Sequence, residues 1–239
     1  MNGSIQTIPL LNLALAFIPV IVVIIIIGKW QLGYKNSIYA VCRMLIQLLL
    51  IGYFLTYIFK TESSLVVVAV LAVMLFSASW IALRTISVPR KTLYLKALFS
   101  ITLGGGLILL LMTQAVLNLT PWYLPSYVIP LAGMIFANAM NSISLAGERL
   151  EAEIVRGIPY KKGRMIALQA SLIPITNSLL AVGLVSLPGM MTGQILSGVS
   201  PLIAARYQIM VMCMIFGSAG ISAAIFLTLI KSDLEILKS

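Results

Sequence analysis

The stretch "IPLLNLALAFIPVIVVIIII", residues 8–27, decides the fold class because it runs for twenty residues without a charge. The hydrocarbon core of a bilayer takes about 20 apolar residues per helical span. The whole chain has the same character, with 61% hydrophobic residues, 9% charged residues and a mean hydropathy of +1.09. A water-soluble core of 239 residues does not hold so many apolar side chains. We therefore expect lipid to be the solvent.

Seven apolar segments predict an all-α, polytopic membrane protein with about seven transmembrane helices. They are residues 8–27, 37–59, 64–83, 96–117, 127–145, 167–187 and 208–230. The first is not read as a signal peptide, because it lacks a positive n-region and Lys29 follows it instead of a small-residue cleavage site. We interpret residues 1–239 as a single transmembrane domain.

The positive charges predict the orientation, because Lys and Arg in short loops stay on the cytoplasmic side. With the N-terminus outside and the C-terminus cytoplasmic, thirteen of the sixteen Lys and Arg residues fall inside, among them Lys231 and Lys238. Only Lys60 and Arg206 lie outside, and Arg43 lies within a span. We expect a multi-pass protein of the plasma (inner) membrane. Anionic membrane lipid accounts for the net charge of +10, so no nucleic-acid partner is required.

The longest predicted cytoplasmic connection, residues 145–164, holds three of the six acidic residues. Apolar residues recur there at i, i+4 and i+8, so the fifth helix is expected to continue into the cytosol until Gly157 and Pro159 stop it. Such a helix is typical of a segment that receives force from a soluble partner. The alternative is a solvated helix end that pairs with itself. The candidate coupling residues are Glu148, Arg149, Glu151, Glu153 and Arg156.

The sequence argues against an enzyme with its own reaction centre. It has no histidine, no carboxylate within a predicted span and no G-x-x-x-x-G-K-[ST] motif. We expect no catalytic residue and no cofactor in this chain. Any ATP and Mg would be bound by a separate ATPase chain.

Polar side chains within the spans are the candidates for a translocation path. Arg43 and Gln47 share one helix face at i, i+4, although Arg43 is also near enough to the inner boundary to reach the lipid headgroups. Asn138, Asn141 and Asn177 lie in the fifth and sixth spans. Hydrogen bonding between helices is the alternative explanation for the three asparagines.

The stretch "SLPGMMTGQILSG", residues 186–198, interrupts two long apolar segments. Broken helices in membranes occur where protein or a water-filled cavity covers the freed backbone groups, and transporters use them at sites and gates. We expect Pro188 and Gly189 to end the sixth span, so that this helix is broken near its outer end, followed by a short helix and by a last span that approaches from Pro201. Methionine also offers a thioether to soft metals, although flexible packing is its more common use. The gate candidates are Pro188, Gly189, Met190, Met191, Gly193 and Gln194.

Three blocks of this sequence resemble the permease subunits of bacterial iron-export ABC transporters, the FetB-like family, which includes plant membrane proteins linked to aluminium tolerance. They are "LIPITNSLLAVGLVSLPGMMTGQILSGVSPLIAARYQIMVM" (172–212), "CRMLIQLLLIGYFLTYIF" (42–59) and "IPLAGMIFANAM" (129–140). The second block carries the family's Arg-x-x-x-Gln-Leu pattern on Arg43, Gln47 and Leu48. Before Pro159 this chain is shorter than the family by roughly a dozen residues, beyond ordinary boundary error.

The resemblance implies a permease that pairs with a separate ABC ATPase and moves metal ions, most plausibly iron, out of the cytoplasm. It also implies a permease homodimer with two ATPases. The metal ligands remain unassigned. An ATPase-independent channel or secondary carrier is the alternative, but carriers usually have intramembrane acidic residues, and the predicted spans have none.

Overall fold

The computed structural model describes residues 8–60 and 63–235, so Lys238 lies outside the described part. These residues form α-helices without a β-strand, which confirms the all-α class. The helices are α1 (Leu10–Leu15), α2 (Ile18–Lys29), α3 (Tyr34–Ile58), α4 (Ser64–Ala82), α5 (Arg90–Ile101), α6 (Leu107–Leu110), α7 (Pro125–Val155), α8 (Tyr160–Ala181), α9 (Gly189–Leu196), α10 (Pro201–Leu229) and α11 (Lys231–Glu235).

Six helical segments of the described chain are long and apolar enough to cross a membrane. They are Leu10–Lys29, Tyr34–Ile58, Ser64–Ala82, Arg90–Val116, Pro125–Val155 and Pro201–Leu229. The remaining long helix, α8, has 22 residues and carries Lys161, Lys162 and Arg164 in its first turns. These six segments and α8 correspond to the seven predicted spans. The chain is a multi-pass membrane protein.

The chain divides into two compact units, Met1–Thr61 and Glu62–Ser239. In the described part of the first unit, α2 packs against α3. Arg43 and Gln47 both lie on α3, where the Arg43 side chain is half-buried and that of Gln47 is exposed. The interpretation of residues 1–239 as one domain stays a prediction.

In the second unit, α7 is the central helix and packs against α10, α8 and α4. Its buried face interlocks with α10 through large side chains such as Ile135, Ile143 and Phe226, which are fully buried. Two π-helical segments, Thr102–Gly106 and Leu111–Val116, flank α6. In the first of them the lack of a side chain at Gly104 lets the backbone lie close to α10. A Cβ atom added to Gly104 would be only 2.8 Å from the Ser222 backbone nitrogen.

The α7 helix continues past the predicted fifth span to Val155, as the sequence indicated. Arg156 ends it, and Gly157 follows at φ +81°, a left-handed conformation that glycine adopts without strain. After Pro159 the chain reverses into α8. The acidic segment is therefore the end of α7 together with the turn to α8.

Candidate functional site

The break after α8 lies before the predicted position. We expected Pro188 and Gly189 to end the sixth span, but α8 ends at Ala181. Val182 leaves the helix with an extended backbone, and Gly183 has φ +84°. The apolar residues after Gly183 therefore form a connection, and Pro188 directly precedes α9 instead of ending α8. The short helix and the start of α10 at Pro201 are confirmed.

A cavity of about 380 Å³ lies where α9 meets α7 and α10. We call it the tyrosine–methionine cavity. Its lining residues are Leu117, Ser126, Tyr127, Pro130, Leu131, Met134, Met190, Gln194, Val199, Ile203, Tyr207 and Met210. Two of the predicted gate residues, Met190 and Gln194, thus share one cavity wall at i, i+4 on α9.

Oxygen atoms and thioethers converge in this cavity. The Gln194 Oε1 atom is buried and has no hydrogen-bond partner. Tyr127 and Tyr207 bring two phenol groups that interact with each other, and Met134, Met190 and Met210 bring sulfur. A buried carbonyl oxygen without a partner costs about 1–3 kcal/mol, which an occupant with a donor or a positive charge would recover.

The donors of the tyrosine–methionine cavity are uncharged side chains. Within residues 8–60 and 63–235, no group of three or more His, Cys, Asp or Glu residues is arranged to hold a metal ion. Neutral oxygen and thioether donors hold a cation less tightly than carboxylates or thiolates do. An ion path needs sites that are favourable enough to enter and weak enough to leave. The arrangement is therefore suited to passage more than to storage.

The asparagines of the predicted path lie outside the cavity lining. Asn138 follows Met134 by one turn of α7, and its Nδ2 atom donates to the Met134 carbonyl at 2.8 Å. Asn141 is exposed on the next turn of the same face. Asn177 is exposed on α8. The α7 face thus continues from the cavity toward the other end of the helix.

The remaining gate candidates divide into two groups. Met191 lines a different cavity, which α9 forms with the end of α8 and with α10. Gly189 and Gly193 are exposed, and a Cβ added to either would meet nothing within 4 Å. Close packing therefore does not explain these two glycines. The two other candidates for the translocation path, Arg43 and Gln47, belong to the first unit. They lie one turn apart on α3.

The candidate coupling residues are largely engaged within the chain. Glu153 is only 5% exposed, and its Oε1 atom forms an ion pair with Arg149 Nη2 at 2.7 Å and accepts a hydrogen bond from Arg156 Nη1 at 3.2 Å. Glu151 Oε2 accepts the backbone N–H of Ser87 at 3.0 Å. Both carboxylates therefore stabilise the end of the helical bundle.

The exposed charged residues near the turn from α7 to α8 carry both charge signs. Glu148 and Arg156 are exposed near the end of α7, and Lys161 and Lys162 are exposed at the start of α8. The Tyr160 hydroxyl donates to the carbonyl of Leu227 and ties the start of α8 to α10. The exposed charges thus stand on a turn that is fixed to two long helices.

The match to known sequences covers nearly all of the described chain. Residues 10–158 and 160–234 match the model of UPF0014, described as an uncharacterised protein family. The chain belongs to the UPF0014 family. It is 40% identical over 194 residues to a UPF0014 membrane protein of Synechocystis, covering 72% of this chain and 73% of that protein.

Two further relatives of this UPF0014 chain have more specific names. The probable iron export permease protein FetB of Escherichia coli is 35% identical, over 90% of this chain and 87% of FetB. The protein ALUMINUM SENSITIVE 3 of Arabidopsis thaliana is 34% identical, over 88% of this chain and 81% of that protein. The resemblance to the FetB-like family is thereby confirmed. No solved structure matches the chain significantly.

The UPF0014 match is interrupted at Pro159, in the connection that the sequence indicated to be short. Sequence reasoning missed other parts of the site. Tyr127 and Met134 lie at i and i+7 on one face of α7, and Tyr207 and Met210 lie at i and i+3 on α10. The helical spacing was readable, but the pairing of these two faces across α9 depends on the tertiary fold.

Proposed function

We propose that this UPF0014 chain is the permease subunit of an exporter that moves metal ions, with iron as the main candidate, out of the cytoplasm. The observation that carries the proposal is the unpartnered Gln194 Oε1 atom in the tyrosine–methionine cavity. The cavity is lined in part by the short helix α9, and the chain is similar over nearly its full length to a probable iron export permease. Two phenol oxygens and an amide oxygen are donors that iron accepts.

In this proposal α9 is the moving part of the gate. It has eight residues, and the connections on its two sides contain Gly183 at φ +84° and Gly198 at φ +90°. Backbone in these conformations turns sharply on either side of a short helix. A shift of α9 relative to α7 and α10 would open or narrow the tyrosine–methionine cavity, because Met190 and Gln194 form one of its walls.

Energy for export comes, in this proposal, from a separate ABC ATPase that binds ATP and Mg, since the sequence has no nucleotide-binding motif. The ATPase docks on the exposed charges of the turn between α7 and α8. That turn is on the cytoplasmic side, the N-terminus is outside and the C-terminus is inside, as the distribution of Lys and Arg favours. Two permease chains and two ATPases form the complete exporter in the plasma (inner) membrane.

The decisive experiment measures ATP-dependent uptake of radioactive Fe(II) into inverted membrane vesicles that contain this chain and its ATPase. Gln194→Leu removes the unpartnered carbonyl oxygen and keeps a similar volume. Gln169→Leu, at an exposed position of α8, is the matched control. We expect uptake to fall by about tenfold in the first variant, equivalent to about 1.4 kcal/mol, and to stay near the parent in the second. The proposal would be refuted if the Gln194→Leu variant took up Fe(II) at the parental rate. Uptake of Fe(II) by the parent without ATP would also refute it.

A further inference from the structure

A second cavity lies where α9 meets the end of α8 and the first half of α10. Its volume is about 360 Å³. We call it the cysteine–methionine cavity. Its lining residues are Leu179, Val182, Gly183, Met191, Ala205, Gln208, Ile209, Met212 and Cys213.

One polar side chain in this cavity is buried without a partner. Gln208 is 6% exposed, and its Oε1 atom makes no hydrogen bond. A lipid chain in the cavity would leave this oxygen unpaired, at a cost of about 1–3 kcal/mol. The wall of the cavity therefore favours an occupant that interacts with a carbonyl oxygen.

Three sulfur atoms share the cavity with this oxygen. Met212 and Cys213 follow Gln208 by four and five residues on α10, and Met191 reaches the cavity from α9. Cys213 is a free cysteine and is exposed, so its thiol is accessible to an ion. Thiolate and thioether ligands select soft metal ions such as Cu(I), whereas hard ions prefer oxygen. The two cavities thus differ in chemistry, because the tyrosine–methionine cavity has phenol oxygens and no thiol.

Charge balance narrows the choice of ion further. No acidic or basic side chain is among the residues that line the cysteine–methionine cavity. Binding of a monovalent cation with loss of the Cys213 proton would give a neutral centre. A divalent ion would leave one net positive charge, and an uncompensated charge at the centre of a membrane span costs about 2.5–3.5 kcal/mol on insertion scales.

We infer that the cysteine–methionine cavity binds one soft monovalent cation, Cu(I) or its analogue Ag(I), through the Cys213 thiolate, the Met191 and Met212 thioethers and the Gln208 carbonyl oxygen. The binding step exchanges the Cys213 proton for the ion, so one proton is released per ion bound. No electron transfer is involved. This site is separate from the proposed iron path, and the inference does not rest on the proposed function.

The test uses the full chain, purified in detergent, with Cys42→Ser so that Cys213 is the remaining one of the two cysteines. Ag(I) and Cu(I) are titrated against a competing chelator of known affinity, and the release of protons is followed in parallel. We expect one ion per chain and one proton per ion. Loss of an indirect metal-site contact weakens binding by about 10–100-fold, so loss of a direct ligand in Cys213→Ser should weaken it by at least about a hundredfold.

Two matched controls separate this site from general methionine binding. The test variant, Met212→Leu, removes a proposed ligand. The first control, Met134→Leu, removes a methionine of the tyrosine–methionine cavity. The second control, Met165→Leu, removes an exposed methionine of α8. Met212→Leu should weaken binding by about tenfold or more, whereas the two controls should change it less than twofold. Equal loss in all three variants, full binding in Cys213→Ser, or no binding by the parent would overturn the inference.

The outcomes also separate this inference from the proposed function. Ag(I) binding is measured without ATP, without a partner chain and without transport. Cys213→Ser and Met212→Leu should leave ATP-dependent Fe(II) uptake at the parental level. Failure of the parent to take up Fe(II) would refute the exporter proposal alone, and failure to bind Ag(I) would refute the soft-cation site alone.

Discussion

Met190 and Met191 are joined by one peptide bond and line different cavities. Met190 lies in the tyrosine–methionine cavity and Met191 lies in the cysteine–methionine cavity. Successive residues of an α-helix are about 100° apart around its axis, so two neighbouring methionines point in different directions. The α9 helix thus contributes a thioether to each of two cavities with different donor atoms.

This arrangement predicts opposite phenotypes for two neighbouring substitutions. Met190→Leu should lower ATP-dependent Fe(II) uptake and leave Ag(I) affinity within twofold of the parent. Met191→Leu should do the reverse, weakening Ag(I) binding by about tenfold or more while Fe(II) uptake persists. Leucine has nearly the volume of methionine, so packing is preserved. Paired vesicle uptake and chelator competition measure both effects, and identical phenotypes would contradict the assignment.

Gly104 should tolerate no larger residue, because a Cβ there would lie 2.4 Å from Ser222 Oγ and 3.0 Å from Ser222 Cα. We expect Gly104→Ala to destabilise the protein by about 1–3 kcal/mol, since backbone atoms of α10 would have to move. Gly106→Ala is the control, as nothing lies within 4 Å of a Cβ at that position. Thermal unfolding in detergent compares the two variants, and equal midpoints would argue against the close helix contact.

Glu153→Gln should destabilise the end of the bundle, because it removes the anion that Arg149 and Arg156 share. The arginines are partly exposed, so we expect about 1–2 kcal/mol, below the 3–5 kcal/mol typical of a fully buried broken pair. Glu148→Gln, at an exposed position on the same helix, should change stability little. The unfolding midpoints of the parent and of the two variants, measured at the same pH, test this prediction. A stability loss that is equal for the two variants would show that burial of Glu153 is not the cause.

The docking proposal predicts a loss of partner binding from exposed charges. Replacement of both Lys161 and Lys162 by glutamate should abolish co-purification with the ATPase and ATP-dependent Fe(II) uptake. The unfolding midpoint should stay near that of the parent, because both side chains are exposed. Arg206→Glu reverses an exposed charge at the predicted outer end of α10 and is the control. If the double variant still retains its ATPase and stimulates hydrolysis normally, docking must occur elsewhere.

Orientation is tested by cysteine accessibility in a background with Cys42→Ser and Cys213→Ser. Ser200→Cys lies directly before α10, and Ser232→Cys lies in α11. An impermeant thiol reagent added to intact cells should label the first and spare the second, because the distribution of Lys and Arg places the C-terminus inside. Labelling of the second position in intact cells would invert the proposed topology.

The sequence predicted the helices well because their apolar runs have the length that a bilayer requires. It misplaced the end of α8, since "LAVGLVSL" reads as a continuing span, and only the left-handed backbone of Gly183 shows the break. The assignment of Glu151 and Glu153 to partner binding stays a prediction. The alternative of a helix end that pairs with itself was readable from the i, i+4 spacing of Arg149 and Glu153, which form an ion pair. The contact of Glu151 with Ser87, 64 residues away, depends on the tertiary fold.

The position of α9 between two cavities has a mechanical consequence. Because one short helix contributes a methionine to each, a movement of α9 changes the shape of both. An ion whose binding moves α9 would therefore alter the affinity of the other cavity for its own ion. Thermodynamic linkage makes such an effect mutual, so iron would change the binding of silver by the same factor as silver changes that of iron. A soft metal would then regulate the proposed export of iron without entering its path.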